Sequence, residues 1–141
     1  MNGSDTSQYS NLSVLVVEDN EVNQRVTSAM LQHFNIVADI VGNGQLAIEC
    51  IAQKKYDLIL MDCQMPVKNG FETTRYIRGL KQNPQKNFQT MPDVLIIAMT
   101  ANASQDDMDA CMAYGMNDFI AKPVELEIIT HMLEKWFAWK N

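Results

Sequence analysis

The sequence has little of what builds several large classes of protein. Its 141 residues hold only 3 cysteines, Cys50, Cys63 and Cys111, with no CxxC spacing among them. An odd, widely spaced set indicates neither a disulfide framework nor a zinc site, and a reducing compartment is the simplest reading. Positive charge is scarce, with 11 Lys and Arg against 17 Asp and Glu and a net charge of −6. Broad contact with nucleic-acid phosphates or with an anionic membrane surface needs a basic face, so neither is expected as a partner. No apolar run approaches the ~18 residues of a membrane span. The polar opening MNGSDTSQYS lacks the apolar stretch of a signal peptide. Neither GxGxxG nor GxxxxGK[ST] occurs, so the common dinucleotide and nucleotide phosphate cradles are missing. No internal repeat or low-complexity segment is present.

What is there is a well-mixed 47% hydrophobic chain, enough for one real core. Short apolar runs alternate with amphipathic stretches. The runs predict strands over residues 12–17, 36–41, 57–61, 93–99 and 117–121. Asn20 caps a predicted helix to about Phe34, with Val22, Val26, Met30 and Phe34 as its apolar positions. A turn at Gly42-Asn43-Gly44 leads into a helix to about Lys54, with Leu46, Ala47, Cys50 and Ile51 on one face. Further helices are expected over 71–80, from Ser104 to before Gly115, and over 124–139. Ser104 and Asp107 have capping-box spacing. Five strand–helix alternations imply an α/β fold, a five-stranded parallel sheet with helices on both faces. Strands buried on both sides explain the unbroken apolar runs. Flavodoxin-like order 2-1-3-4-5 would put a ligand crevice beyond the carboxyl ends of strands one and three.

The residues standing at those ends are chemical. The first strand runs into Glu18 and Asp19, the third ends at Asp62, the fourth at Thr100, and the fifth at Lys122 followed by Pro123. Taken singly, each has an ordinary explanation: a cap, a turn, a β-branched strand end, a solvated charge. Together they bring three carboxylates into one place, where like charges repel or raise one another's pKa. One lysine is too little compensation, so a divalent cation is expected. Mg2+ suits oxygen ligands, uses one or two carboxylates directly and keeps waters.

The stretches VEDN, LILMDCQMPVKNGFE, IIAMTANA and GMNDFIAKPV resemble the receiver domains of two-component response regulators. The likeness covers about residues 12–138 and is strongest to receivers attached to hybrid sensor histidine kinases. It implies a receiver domain over 12–139, with 1–11 as a flexible lead-in or linker. It further implies Asp62 as phosphoacceptor, Asp19 as direct metal ligand, Glu18 as the acid acting through water, and the Gln64 backbone carbonyl as a further ligand. Thr100 would bond the phosphoryl group, Lys122 would pair with it, and Phe119 would be the aromatic switch residue. The Lys122-Pro123 bond would be cis. The implied function is Mg2+-dependent transfer of a phosphoryl group from a phosphohistidine onto Asp62, as a signalling switch or relay. Such a domain catalyses its own phosphorylation and dephosphorylation, and no kinase domain is expected in this chain. The implied partners are a histidine kinase or a histidine phosphotransfer protein, with no direct membrane contact. A cytoplasmic location follows, either free or as the cytoplasmic part of a membrane-bound sensor kinase.

Asn69 departs from the usual aspartate before Gly70 but remains a good cap. The loop from Lys81 to Pro92 is longer than usual and reads as solvated. His33 and His131 read as ordinary helix residues. A phosphatase of the haloacid dehalogenase type would need a second acid two residues after Asp62, where Gln64 stands. The remaining alternative is a receiver-like interaction module that is never phosphorylated, but such modules usually lose an acid or the lysine. For docking, Val22 and Pro123 are the expected outer contacts.

Overall fold

A computed structural model describes residues 8–63, 69–81, 88–101 and 104–137. Five strands form one parallel sheet: β1 (Val14–Val17), β2 (Asp39–Val41), β3 (Leu58–Asp62), β4 (Leu95–Thr100) and β5 (Asp118–Ala121), in the order β2-β1-β3-β4-β5. The helices are α1 (Glu21–Gln32), α2 (Gly44–Gln53), α3 (Gly70–Gly79), α4 (Gln105–Ala113) and α5 (Leu126–Phe137). This is the doubly wound order expected from the sequence.

The central strands are buried on both faces, and alternate residues serve different cores. Val14 and Val16, with Leu58, Leu60, Ile97 and Met99, pack under Leu31 of α1 and Ile129, Met132 and Leu133 of α5. Leu15 and Val17, with Ile59, Met61, Ile96 and Ala98, pack under Ala47 and Ile51 of α2, Ile77 of α3 and Cys111 of α4. A continuous apolar run is therefore two period-2 patterns laid over each other.

Side-chain caps start the helices. Asn20, Asn43 and Asn69 accept from the backbone N–H three residues on, each at 2.9 Å. The reciprocal capping box forms at Asn69 and Glu72, whose carboxylate accepts from Asn69 N at 3.3 Å. At Ser104 the bond from Asp107 N to the hydroxyl is present at 3.2 Å. Gly115, just past α4, has φ +105, a left-handed C-terminal stop.

Several sequence expectations need correction. The buried residues of α1 are Thr27 and Leu31; of the predicted positions, Phe34 is buried past the helix end and Met30 packs against the core, but Val22 is 62% exposed. The sheet meets the helix along i, i+4, i+7 from position 27, one step round from the predicted valine face. On α2, Ile48 is buried and Leu46 is 42% exposed, because the buried set 44, 47, 48 and 51 fixes the inward direction. β2 is only 3 residues long: Ile36 is buried, but pairing with β1 begins at Asp39. α5 begins at Leu126, with Val124 buried ahead of it. Tyr9, inside the stretch expected as a lead-in, is buried edge-on against Phe34 with ring centroids 5.8 Å apart.

Candidate functional site

The parallel register delivers the acids to one edge. Val17 pairs with Met61, so the next residues along the two neighbouring strands are Glu18 and Asp62. Asp62 pairs in turn with Met99, and Thr100 with Ala121, so Thr100 and Lys122 close the same edge from the other side. The Lys122 N–H donates to the Thr100 carbonyl at 2.8 Å, holding the end of β5 against β4.

Glu18 and Asp62 are almost wholly buried, Thr100 is buried, and Asp19 is exposed. Lys122 Nζ lies 3.0 Å from Glu18 Oε1 and 3.2 Å from Asp62 Oδ1. Burial works against the Lys122 ammonium, but Glu18 and Asp62 outweigh it and hold its pKa above the ordinary lysine value. Glu18 Oε1 is buried, and its close partner is the Lys122 ammonium. Glu18 Oε2 accepts from the Asn20 N–H at 3.1 Å. One carboxylate oxygen from each of Glu18, Asp19 and Asp62 falls within 4.8 Å of the others.

That donor set fits a small hard cation. Oxygens around octahedral Mg2+ are about 3 Å apart when adjacent and about 4 Å when opposite, from bonds of roughly 2.0–2.1 Å. A spread of up to 4.8 Å is slightly too wide for three direct carboxylates and suits one or two direct ligands with water completing the shell. Among the described residues, three formal negative charges against one lysine leave a deficit that a divalent ion would fill.

Each predicted site residue within the described segments reaches this edge or its flank. Gln64 lies outside the described residues. Phe119 sits on β5, half-buried against the α4 side of the sheet, and also lines a groove of about 340 Å³ with Ile128, His131 and Lys135. The Lys122-Pro123 bond is cis. Val22 and Pro123 are both exposed. His131 faces the groove beside β5, and His33 is the C-cap of α1.

Sequence reasoning missed three supporting residues. Gln24 Nε2 donates to the Glu18 carbonyl at 2.6 Å, tying the first turn of α1 to the acidic edge. Gly70 lies so near the Asp62 backbone that a Cβ there would come within 2.3 Å of the Asp62 carbonyl oxygen. The glycine after Asn69 hinted at a tight approach, but not at what it approaches. Arg78 donates to the carbonyls of Gly115, Pro92 and Val94 and to Asn117 Oδ1, at 2.7–2.9 Å, pinning the far end of the sheet to α3. Nothing in its local sequence marks it.

Comparison with known proteins agrees with this geometry. The family model for the response regulator receiver domain matches residues 14–134. Hybrid signal transduction histidine kinase B of Dictyostelium discoideum is 41% identical over 129 residues, covering 86% of this chain. The match takes in only 6% of that protein's length. The receiver domain of a sensor histidine kinase from Pseudomonas aeruginosa PAO1 is 40% identical with a TM-score of 0.75, over 90% of this chain and 98% of that one. It was solved with a magnesium ion coordinated in its active-site cleft. The receiver domain of a Saccharomyces cerevisiae response regulator, solved with its histidine phosphotransfer signaling protein, is 36% identical with a TM-score of 0.80. That match covers 92% of this chain and 90% of the other. On the family match, the relatives and the shared fold, this chain belongs to the response regulator receiver domain family.

Proposed function

We propose that this receiver domain takes a phosphoryl group from a phosphohistidine of a partner onto Asp62, in a Mg2+-dependent step, as a switch or relay. The observation that carries the reading is the placement of Asp62: buried, 3.2 Å from Lys122 Nζ, and close to Glu18 and Asp19. A carboxylate oxygen of Asp62 attacks phosphorus, the bond from phosphorus to the imidazole nitrogen breaks, and an acyl phosphate remains. Such transfer depends on positioning and charge stabilisation more than on covalent assistance. Asp19 and Asp62 would hold the Mg2+ directly, Glu18 through water, with the Gln64 carbonyl as a further ligand. The bound ion supplies charge neutralisation at the phosphoryl oxygens. Lys122, within reach of Asp62, pairs with the same oxygens. Thr100, at the end of the neighbouring strand, donates its hydroxyl to the phosphoryl group, and Phe119 takes up the space that Thr100 leaves. That shift biases the surface of α4, β5 and α5.

The reading carries a partner. A histidine kinase or histidine phosphotransfer protein must bring its phosphohistidine to the strand edge, and the exposed Val22 and Pro123 flank that edge. The yeast neighbour in complex with a histidine phosphotransfer protein supports this partner class. The unit doing this work is residues 12–139, with Tyr9 packed onto its core, and its expected place is the cytoplasm. Among the described residues no helix is long and apolar enough to cross a membrane. A non-phosphorylated interaction module is disfavoured because Glu18, Asp19, Asp62, Thr100 and Lys122 are all present at one edge.

The experiment is incubation with acetyl phosphate and Mg2+ followed by intact mass measurement. One added phosphoryl group is expected, absent in Asp62→Asn and after chelation of the metal. Labelling that survives both changes would remove Asp62 and the metal from the reaction.

A further inference from the structure

We propose that Cys63 and Cys111 form an oxidisable dithiol, closed to an intrachain disulfide by a small two-electron oxidant of the hydrogen peroxide class. The two residues are 48 apart in sequence, yet their sulfurs lie 3.8 Å apart in the buried layer between β3 and α4. A disulfide needs about 2.05 Å, so the sulfurs must approach by roughly 1.8 Å. A buried cysteine is ordinarily a small apolar filler. These two differ in where they sit. Cys63 follows Asp62 directly and donates its N–H to the Met99 carbonyl. Cys111 is the one fully buried residue of the 9-residue α4, whereas α1 buries 2 and α2, α3 and α5 bury 4 each. The contact between the sulfurs is thus a main anchor of the helix that buries the fewest residues.

Weak anchoring gives the oxidant its access. Elements with few buried apolar side chains open locally at low free-energy cost. While α4 is closed, both thiols are buried and shielded from solutes, so reaction is slow. When α4 lifts, each sulfur loses the cover of the other. Cys63 Sγ then attacks one peroxide oxygen; an S–O bond forms, the O–O bond breaks, and the thiol proton leaves with the departing oxygen as water. On reclosure Cys111 Sγ attacks the Cys63 sulfur, the S–S bond forms, and the S–O oxygen leaves as a second water with the Cys111 proton. The two sulfurs lose two electrons and the peroxide gains them. The resulting bridge ties α4 to the residue after Asp62. Its effect on signalling rests on Asp62 being the phosphoacceptor.

The test uses the full chain exposed to hydrogen peroxide, then intact mass and non-reducing peptide mapping. Expected is the loss of two hydrogens and a Cys63–Cys111 cross-linked peptide, in wild type and in Cys50→Ser alike. The cross-link is expected to vanish in Cys111→Ala, with Cys63→Ala as the second variant should the first fail to fold. The bridged protein is also expected to melt higher, since the link constrains the unfolded chain. A bridge through Cys50, or thiols still untouched after the α4 amides have exchanged with deuterium, would overturn the proposal. In a second arm, bridged protein is expected to accept phosphoryl groups from acetyl phosphate several-fold more slowly, with recovery on reduction. An unchanged rate overturns the coupling to Asp62. If reduced protein is not labelled at all, the phosphoacceptor reading fails, while the peptide map still decides the bridge.

Discussion

Replacing Lys122 with methionine keeps most of the side-chain volume and removes an ammonium that faces both Glu18 and Asp62, at 3.0 and 3.2 Å. Breaking a buried ion pair from one side costs about 3–5 kcal/mol, because the remaining charge stays buried. The Lys122 side chain is 16% exposed, so water reaches it and the lower end, about 3 kcal/mol, applies. In a domain of this size each kcal/mol moves Tm by roughly 4 °C, so Lys122→Met is expected to melt roughly 12 °C below wild type. The same argument fixes the sign of the metal response. Mg2+ at 100 times its Kd stabilises by about 2.7 kcal/mol. Without the lysine, the carboxylates gain more from the cation, so Mg2+ raises the Tm of Lys122→Met by more degrees than that of wild type. Thermal melts with Mg2+ and with a chelator measure both quantities. A variant that melts within ~1 kcal/mol of wild type, or that gains less from Mg2+, would show that Lys122 is not the internal counter-ion of the acidic edge.

Thr100→Ala is expected to accept phosphate from acetyl phosphate yet transmit it poorly, because in the proposed mechanism the hydroxyl couples the phosphoryl group to Phe119; identical phosphorylation-induced NMR shifts near Phe119 in both proteins would refute this. Val22→Asp is expected to slow transfer from a histidine phosphotransfer partner while labelling by acetyl phosphate stays near normal, since a small donor needs only the pocket; an equal fall in both rates would remove the docking role. Burial tends to raise the Asp118 carboxyl, but the Trp136 indole N–H, Lys135 and the Phe119 N–H outweigh it and hold its pKa below the ordinary aspartate value. A depressed carboxylate contributes stability that is present above the unfolded pKa of about 3.9 and is lost as pH falls through the folded value. Asp118→Asn is therefore expected to cost about 1 kcal/mol at neutral pH and progressively less as pH falls below the unfolded value, read from melts across that range.

The parts legible in the sequence were those that local pattern determines. Val14–Val17 and Leu58–Asp62 are buried on both faces, and such strands read as unbroken apolar runs. Once those runs are aligned in parallel, Glu18, Asp62, Thr100 and Lys122 must share an edge, so the acidic site follows from topology. Asn20, Asn43 and Asn69 cap helices by contacts three residues away, and these too are local. The misread features depend on partners distant in sequence. Whether Val22 or Thr27 faces inward is decided by where α1 meets the sheet and α5, and the valine spacing satisfies helical periodicity either way. The Arg78 guanidinium is held by acceptors 14 to 39 residues away, and Cys63 meets Cys111 across 48, distances at which a single sequence carries no pairing signal. Gly70 was visible as a glycine, but the Asp62 carbonyl that excludes a Cβ there is a tertiary fact.

The most direct measurement is chemical trapping of the bond itself. Protein incubated with a phosphohistidine donor and Mg2+ is treated with borohydride, which reduces an aspartyl phosphate to homoserine, and the peptides are sequenced by mass spectrometry. The account predicts homoserine at position 62 and nowhere else, and none without Mg2+. Trapping at another residue, or a phosphoryl adduct at position 62 that forms equally well with the metal removed, would contradict it.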